Sequence, residues 1–257
     1  MNGDIVLDIQ GLTKSYRNRR GIENVTLQVR RGDIYGFFGP NGAGKTTVMK
    51  IASGLIRADR GSVRLFGYDV NEQYEPAMSR VGVLIEKGEA FEYLSGRRNL
   101  ELAARLYPGL PKTRVDEVLE LVGLSKHGKE KAGHYSLGMK MRLAIAGALV
   151  SKPELLILDE PTNGLDIEGM VEIRELVRKL AREERTTFFL SSHLISEMEM
   201  ICNRIGILHE GKLIREGSMG ELLQGSGPSS SLETYFIEQI RAEREAADHE
   251  PANVRYH

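Results

Sequence analysis

The stretch "GFFGPNGAGKTT", Gly36 to Thr47, decides the fold that this sequence predicts. It contains the pattern G-x-x-x-x-G-K-T and follows directly on the apolar run "IYGFF". In such a loop the glycines let backbone N–H groups wrap phosphates, the lysine reaches the outer phosphates, and the threonine hydroxyl ligates Mg²⁺. The helix that follows directs its positive end at the same anions. The pattern therefore predicts a nucleoside triphosphate site rather than a chance glycine turn. The predicted nucleotide-binding residues of the loop are Gly39, Asn41, Gly42, Ala43, Gly44, Lys45, Thr46 and Thr47.

A second stretch, "LLILDEPTNGLD", Leu155 to Asp166, supplies two adjacent carboxylates after an apolar run. The run is typical of a strand buried on both faces, and open parallel sheets bind ligands at the carboxyl ends of their strands. We predict that Asp159 holds Mg²⁺ together with Thr46, and that Glu160 polarises an attacking water as a general base. The simpler alternative is that both carboxylates begin a solvated loop, but the nearby phosphate loop favours the metal site.

Composition limits the possible partners. The chain has 257 residues, 28% of them charged, with a formal net charge of −1. That charge predicts no nucleic-acid partner. The apolar stretches are far shorter than the ~20 residues of a membrane span, and the N-terminus lacks the features of a signal peptide. Cys202 is the single cysteine, which agrees with a reducing compartment.

The remaining pattern predicts an α/β protein with a helical insertion. Between two buried strands, "VGVLIE" and "LLILDE", lies a block with helical periodicity and no good strand. We place a helical subdomain there, at about 88–150. Residues 1–224 form one predicted domain, and 225–257 a linker followed by a C-terminal helix. The predicted strands are 5–9, 25–29, 34–39, 62–67, 81–86, 155–160 and 186–192, and a hairpin at 204–217.

The segment "YSLGMKMRLAIAGAL", residues 135–149, makes the class more specific. Followed closely by "LLILDEP", it resembles the signature motif of ATP-binding cassette (ABC) ATPases, usually L-S-G-G-Q. Ser136 and Gly138 match that motif, whereas Leu137 and Met139 depart from it. The resemblance implies that Ser136 and Gly138 bind the γ-phosphate held by another subunit. The form S-L-G-M-K is similar to bacterial exporters of the bacitracin and lantibiotic type. Without the resemblance, Ser136 is an ordinary helix N-cap.

Further matches to the same family follow in order. "NGLD" resembles its D-loop, which implies that Asp166 crosses to the opposite site of a dimer. "SSH" ends a buried strand with His193, where the family has a histidine that contacts the γ-phosphate and water. Tyr16 is similar in position to an adenine-stacking aromatic residue. In "VGVLIE", Glu86 lies where the family usually has a glutamine that reaches Mg²⁺ and water. That replacement is shared with the bacitracin and lantibiotic exporters, and it implies that Glu86 is both a catalytic residue and a metal ligand.

The resemblance implies an architecture and a mode of action. We expect a P-loop α/β core with an N-terminal antiparallel β-subdomain and an inserted α-helical subdomain. Two copies, or one copy and a homologous subunit, form a head-to-tail dimer around ATP and Mg²⁺. Separate permease subunits in the membrane then use ATP hydrolysis for export of an antimicrobial peptide or drug. This places the chain at the cytoplasmic face of the cell membrane.

Two alternative classes fit part of the sequence. One is a soluble ABC-type ATPase that acts on ribosomes or DNA repair complexes. Such proteins usually fuse two cassettes or carry basic surfaces, whereas this chain shows one cassette and near-neutral charge. The other is a P-loop kinase, which leaves "YSLGMK" and "NGLD" unexplained.

Overall fold

The computed structural model describes residues 4–17, 20–86 and 90–224, together with Thr234 and Ile237. The predicted linker and C-terminal helix at 225–257 otherwise lie outside the described residues. The strands are β1 (Ile5–Ser15), β2 (Gly21–Arg30), β3 (Ile34–Phe38), β4 (Arg60–Leu65), β5 (Tyr68–Asp69), β6 (Val81–Leu84), β7 (Leu155–Leu158), β8 (Thr187–Ser192), β9 (Arg204–His209) and β10 (Lys212–Ser218). The helices are α1 (Lys45–Ala52), α2 (Tyr74–Met78), α3 (Gly96–Ala104), α4 (Arg114–Leu121), α5 (Leu137–Leu149), α6 (Ile167–Glu183), α7 (Ile195–Ile201) and α8 (Met219–Gln224). Of the helices within these described ranges, none has both the length and the apolar character needed to cross a membrane.

The strands form two sheets. An antiparallel sheet has the order β2-β1-β4-β5. The larger sheet has the order β10-β9-β3-β8-β7-β6, with all neighbours parallel except the edge pair β10 and β9. The predicted P-loop α/β core and antiparallel β-subdomain are both confirmed.

The parallel sheet separates two hydrophobic cores. Along β7, Leu155 and Ile157 face one core, and Leu156 and Leu158 face the other. All four side chains are fully buried. The first core contains α1 and the antiparallel sheet, whereas the second contains α5, α6 and α7. Burial on both faces explains why this strand is a continuous apolar run rather than an alternating one.

Three helices, α3, α4 and α5, lie in the block between β6 and β7. Buried Arg114 of α4 connects to the end of α5, donating from Nε to the Val150 carbonyl at 3.0 Å and from Nη2 to the Leu149 carbonyl at 2.6 Å. These bonds satisfy carbonyls that a helix end leaves without an intrahelical partner. The Tyr135 side chain packs so closely on α3 that a Cβ on Gly96 would lie 2.3 Å from its hydroxyl. The helices are thereby held in one packed unit.

Helix α7 packs on β3, the strand that directly precedes the phosphate loop. A Cβ on Gly36 would lie 2.5 Å from Met198 Sδ and 2.7 Å from Cys202 Sγ. The two sulfur atoms are 3.6 Å apart, and the Cys202 thiol is buried. Glycine at 36 is therefore required for α7 to approach the sheet this closely.

A broad groove of about 970 Å³ opens between the parallel sheet and the helices of the inserted block. Its walls come from the end of α1, from α2, β6, α3 and α5. Apolar side chains at its rim include exposed Leu55, Leu106 and Phe91.

Candidate functional site

Three neighbouring strands bring the predicted site residues together. The phosphate loop follows β3, Asp159 and Glu160 follow β7, and His193 follows β8. Because β3, β8 and β7 are adjacent and parallel, their carboxyl ends meet at one edge of the sheet. This is the edge at which open parallel sheets bind ligands.

The backbone of the phosphate loop depends on its glycines. Gly42 and Gly44 have φ values of 82° and 108°, in the left-handed region that glycine adopts without steric cost. A Cβ on Gly44 would also lie 2.5 Å from the Ile22 side chain. Gly44 directly precedes α1, so the first N–H groups of this helix face the loop.

Lys45 is the first residue of α1, and its side chain is only 5% exposed. Its ammonium donates to the Gly39 carbonyl at 2.6 Å and to the Pro40 carbonyl at 3.3 Å. Glu160 Oε1 lies 3.0 Å from the same nitrogen. A buried ammonium is costly unless it is paired and hydrogen-bonded, and these three contacts meet that need.

Asp159 is buried and held from two sides. Thr46 Oγ1 donates to Asp159 Oδ2 at 2.8 Å, and Ser191 Oγ donates to Asp159 Oδ1 at 2.6 Å. The Ser191 oxygen also accepts the Glu160 N–H at 2.9 Å. The hydroxyl and the carboxylate are hard oxygen donors, and Mg²⁺ in proteins commonly takes one or two carboxylates plus phosphate oxygens. These residues therefore fit the predicted metal.

Glu160 and His193 form the second half of the site. His193 Nδ1 lies 2.7 Å from Glu160 Oε2, while the other carboxylate oxygen contacts Lys45. Glu160 has a φ of 50°, in the left-handed region that costs a non-glycine residue about 1 kcal/mol or more. Backbone strain of this kind is found at functional sites more often than elsewhere.

A cavity of about 370 Å³ lies over the phosphate loop. Tyr16 is half exposed and lies in its wall, and its stacking on a base stays a prediction. The described lining comprises Tyr16, Arg20, Gly21, Asn41, Gly42, Gly44, Lys45, Thr46, Thr47, Glu160 and Asn163.

Sequence reasoning missed several of the site's polar residues. Ser191 was visible only as a polar residue near the end of the buried run "TFFLSS", and its bond to Asp159 depends on the register of β8 against β7. Asn163 belongs to the quoted "NGLD", but its place in the cavity wall follows from the turn after Glu160. Arg20 carried no signal.

Glu86 follows β6 and contacts α1 rather than the cavity. Its Oε1 lies 2.5 Å from Lys50 Nζ, and its side chain is 66% exposed. The φ of Glu86 is 63°, again in the left-handed region. The described lining of the cavity does not include Glu86. Its role as a metal ligand stays a prediction.

Ser136, Gly138 and Asp166 form a separate surface at the starts of α5 and α6. Ser136 Oγ accepts the Met139 N–H at 3.2 Å, and Asp166 Oδ1 accepts the Gly169 N–H at 2.9 Å, so both are helix N-caps. A Cβ on Gly138 would lie 3.6 Å from Gly169 Cα, so the two helix starts are neighbours. None of the three belongs to the described lining of the phosphate-loop cavity.

The site combines a phosphate loop after β3, a carboxylate pair after β7 and a histidine after β8, the strand between them. This combination defines a nucleoside triphosphatase of the P-loop class. A family model described as "ABC transporter" matches residues 22–163, more than half of the chain. The chain belongs to the ABC transporter ATPase family. It is an ATP-binding enzyme, and the predicted resemblance is confirmed.

Relatives and a solved structure agree with this assignment. The bacitracin transport ATP-binding protein BcrA of Bacillus licheniformis is 44% identical over 82% of this chain and 69% of its own length. The lantibiotic transport ATP-binding protein SrtF of Streptococcus pyogenes is 37% identical over 93% of this chain and 99% of its own. The ATP-binding cassette MJ0796, a dimer in a post-hydrolysis state bound to ADP and Pi, has a TM-score of 0.73 at 26% identity, covering 83% of this chain and 98% of its own.

Proposed function

We propose that this chain is the ATP-hydrolysing subunit of a bacterial exporter and acts with separate permease subunits at the cytoplasmic face of the membrane. The observation that carries the proposal is the position of the Glu160 carboxylate, 3.0 Å from Lys45 and 2.7 Å from His193, within an ABC transporter ATPase. A carboxylate between the phosphate-binding lysine and a histidine is suited to act on a water beside the γ-phosphate. In this proposal the ATPase domain spans residues 1–224.

Each side chain has a distinct role in hydrolysis. Lys45 and the N–H groups of the loop bind the phosphates, and Thr46 and Asp159 hold Mg²⁺. When bound, that ion neutralises phosphate charge and orients the transferred group. Glu160 accepts a proton from the attacking water, whose oxygen forms the new bond to the γ-phosphorus as the bond to ADP breaks. His193 orients Glu160 and the water, and Ser191 fixes Asp159.

A second subunit completes each site in this proposal. Ser136, Gly138 and Asp166 share one surface that is separate from the chain's own cavity, which suits contacts with ATP held by a partner. A serine and a glycine at a helix start are suited to an anion, because N–H groups there are unpaired and the helix dipole is positive. The partner is a second copy or a homologous subunit in a head-to-tail arrangement.

The groove beside β6 is the proposed contact for the permease. Exposed apolar side chains at its rim, including Leu55, Leu106 and Phe91, are typical of an interaction surface rather than of a solvated face. The groove is also lined by Leu84 and Phe91, which lie before and after Glu86 in the sequence. The names of the relatives BcrA and SrtF favour an antimicrobial peptide or a related drug as the exported substrate.

The test measures ATPase activity and resistance together. The purified chain with Mg²⁺ releases phosphate from ATP, and Glu160→Gln lowers the turnover by about 10²- to 10⁴-fold, the usual contribution of a general base. Cells that express the chain together with a permease subunit recovered with it by affinity purification are expected to survive bacitracin or a lantibiotic, and cells with the Glu160→Gln chain to be sensitive. Equal resistance with both chains would show that resistance does not depend on ATP hydrolysis by this chain.

A further inference from the structure

Lys50 has no part in the nucleotide site described above, yet it holds one of that site's predicted carboxylates. Its ammonium lies 2.5 Å from Glu86 Oε1, and its side chain is 30% exposed. Lys50 is also on α1, the helix that begins with Lys45 and Thr46. The contact therefore joins the helix of the phosphate loop to the loop that follows β6.

The position of Lys50 relative to Thr46 places the contact with Glu86 on the side of α1 that faces the predicted metal site. The two residues are i and i+4 on α1 and therefore lie on one face of the helix. At about 1.5 Å per residue, they are separated by about 6 Å along the axis. The Thr46 hydroxyl donates to Asp159 at 2.8 Å, so the Lys50 side chain leaves α1 one helical turn after the hydroxyl that is predicted to hold Mg²⁺.

Glu86 starts from a point that is close to both positions. Strands β6 and β7 are parallel neighbours with Leu84 opposite Leu158, and the Asp159 N–H donates to the Leu84 carbonyl at 2.8 Å. Glu86 thus leaves the sheet edge beside the residue that is predicted to hold Mg²⁺. A carboxylate there has two attractive positions, the Lys50 ammonium and the metal.

We propose that Lys50 is a positioning residue that holds the Glu86 carboxylate away from the residues that would hold the metal, and that Glu86 leaves Lys50 when it joins the metal–nucleotide complex. This inference rests on the proposed function.

The test uses the full-length chain, the non-hydrolysable analogue AMP-PNP, and titration calorimetry in Mg²⁺ and in EDTA. The measured quantity is the ratio of the AMP-PNP affinity in Mg²⁺ to the affinity in EDTA. Loss of a positive charge weakens binding of the metal-free nucleotide more than binding of its less negative Mg²⁺ complex, so this general effect raises the ratio by itself, and the Glu86→Gln background measures its size. For Lys50→Met we expect the ratio to rise about two- to fivefold, the range that an exposed ion pair can supply.

Three variants separate the pair from other effects. Lys50→Arg is expected to keep the parental ratio because it keeps the charge. Lys50→Met in a Glu86→Gln background is expected to give a clearly smaller rise, because only the general charge effect remains once the carboxylate is gone. Lys140→Met is the matched control, since Lys140 contacts Glu92 at the same 2.5 Å with similar exposures, 32% and 66%. Lys50→Gln replaces Lys50→Met if the methionine variant has a lower melting temperature than the parent.

The outcomes distinguish this inference from the proposed function. An unchanged ratio for Lys50→Met, or a rise that is equally large with Glu86→Gln, would overturn the role of Lys50. A parental chain that does not bind AMP-PNP with Mg²⁺ would instead overturn the nucleotide site itself.

Discussion

The Lys45 ammonium connects the phosphate loop to the predicted general base. It contacts two carbonyl oxygens of the loop and the carboxylate of Glu160, and it is nearly inaccessible to solvent. A γ-phosphate that enters the cavity competes with Glu160 for this nitrogen. Lys45 is therefore placed to sense both the phosphate and the predicted general base.

Lys45→Ala is expected to abolish ATPase activity and to weaken ATP binding about tenfold or more, since a hydrogen bond to a charged group contributes about 1.5–3 kcal/mol. Calorimetric titration with ATP and a phosphate-release assay measure the two effects. Lys212→Ala is the control, because Lys212 is exposed and does not belong to the described lining of the phosphate-loop cavity. Undiminished turnover in the Lys45 variant would contradict the site.

At the scale of the helices, α3 and α5 begin in the same way. Ser95 Oγ accepts the Arg98 N–H and Ser136 Oγ accepts the Met139 N–H, both at 3.2 Å. Each serine is an N-cap, and replacing such a cap by alanine costs about 0.5–2 kcal/mol. The two helix starts are matched in local structure, but only that of α5 carries the predicted signature.

This match allows a controlled prediction. Ser136→Ala and Ser95→Ala are both expected to lower the melting temperature by a similar amount. Only Ser136→Ala is expected to reduce ATP-dependent association, while the monomer keeps its affinity for ATP. Analytical ultracentrifugation with and without ATP measures the difference. If Ser95→Ala weakens association as much, the predicted signature acts only as a helix cap.

The strands differ in how far their patterns could be predicted. The runs "IYGFF", "LLIL" and "TFFLSS" were predicted because burial on both faces leaves continuous apolar residues. By contrast, β1 was predicted only to Ile9, although it continues to Ser15. Its pairing with β2 changes register between Ile9 and Leu12 and again before Lys14. These irregularities interrupt the period of two on which the prediction depends.

The site shows the same division between local pattern and packing. The phosphate loop and the carboxylate pair are contiguous in the sequence, so their residue types and spacing indicate the chemistry directly. The bond from Ser191 to Asp159 and the contact between Lys50 and Glu86 join residues that are distant in the sequence. Only the packing of strands and helices determines such contacts.

For the molecule as a whole, the proposed head-to-tail dimer predicts a trapped state. Glu160→Gln removes the proton acceptor but keeps an amide oxygen that can accept from His193, so ATP and Mg²⁺ are expected to remain bound. With hydrolysis stopped, the variant is expected to elute as a dimer in size-exclusion chromatography with ATP and Mg²⁺, and as a monomer in EDTA. The parental chain under turnover is the control. A Glu160→Gln chain that is monomeric at saturating ATP would contradict the shared site.

Because α7 packs on β3 through Cys202, the rate at which α7 separates from the sheet can be measured by labelling this cysteine. Cys202 is the single cysteine, and burial raises the pKa of its thiol well above the usual value. Because the thiolate is the reactive form, an aromatic disulfide reagent at pH 8 is expected to label it only when α7 separates from the sheet. Bound ATP that contacts His193, two residues before α7, is expected to slow the labelling. The experiment needs no engineered cysteine. Immediate stoichiometric labelling of the folded chain would show that α7 separates freely from the sheet. Slower labelling would instead give the frequency of this separation.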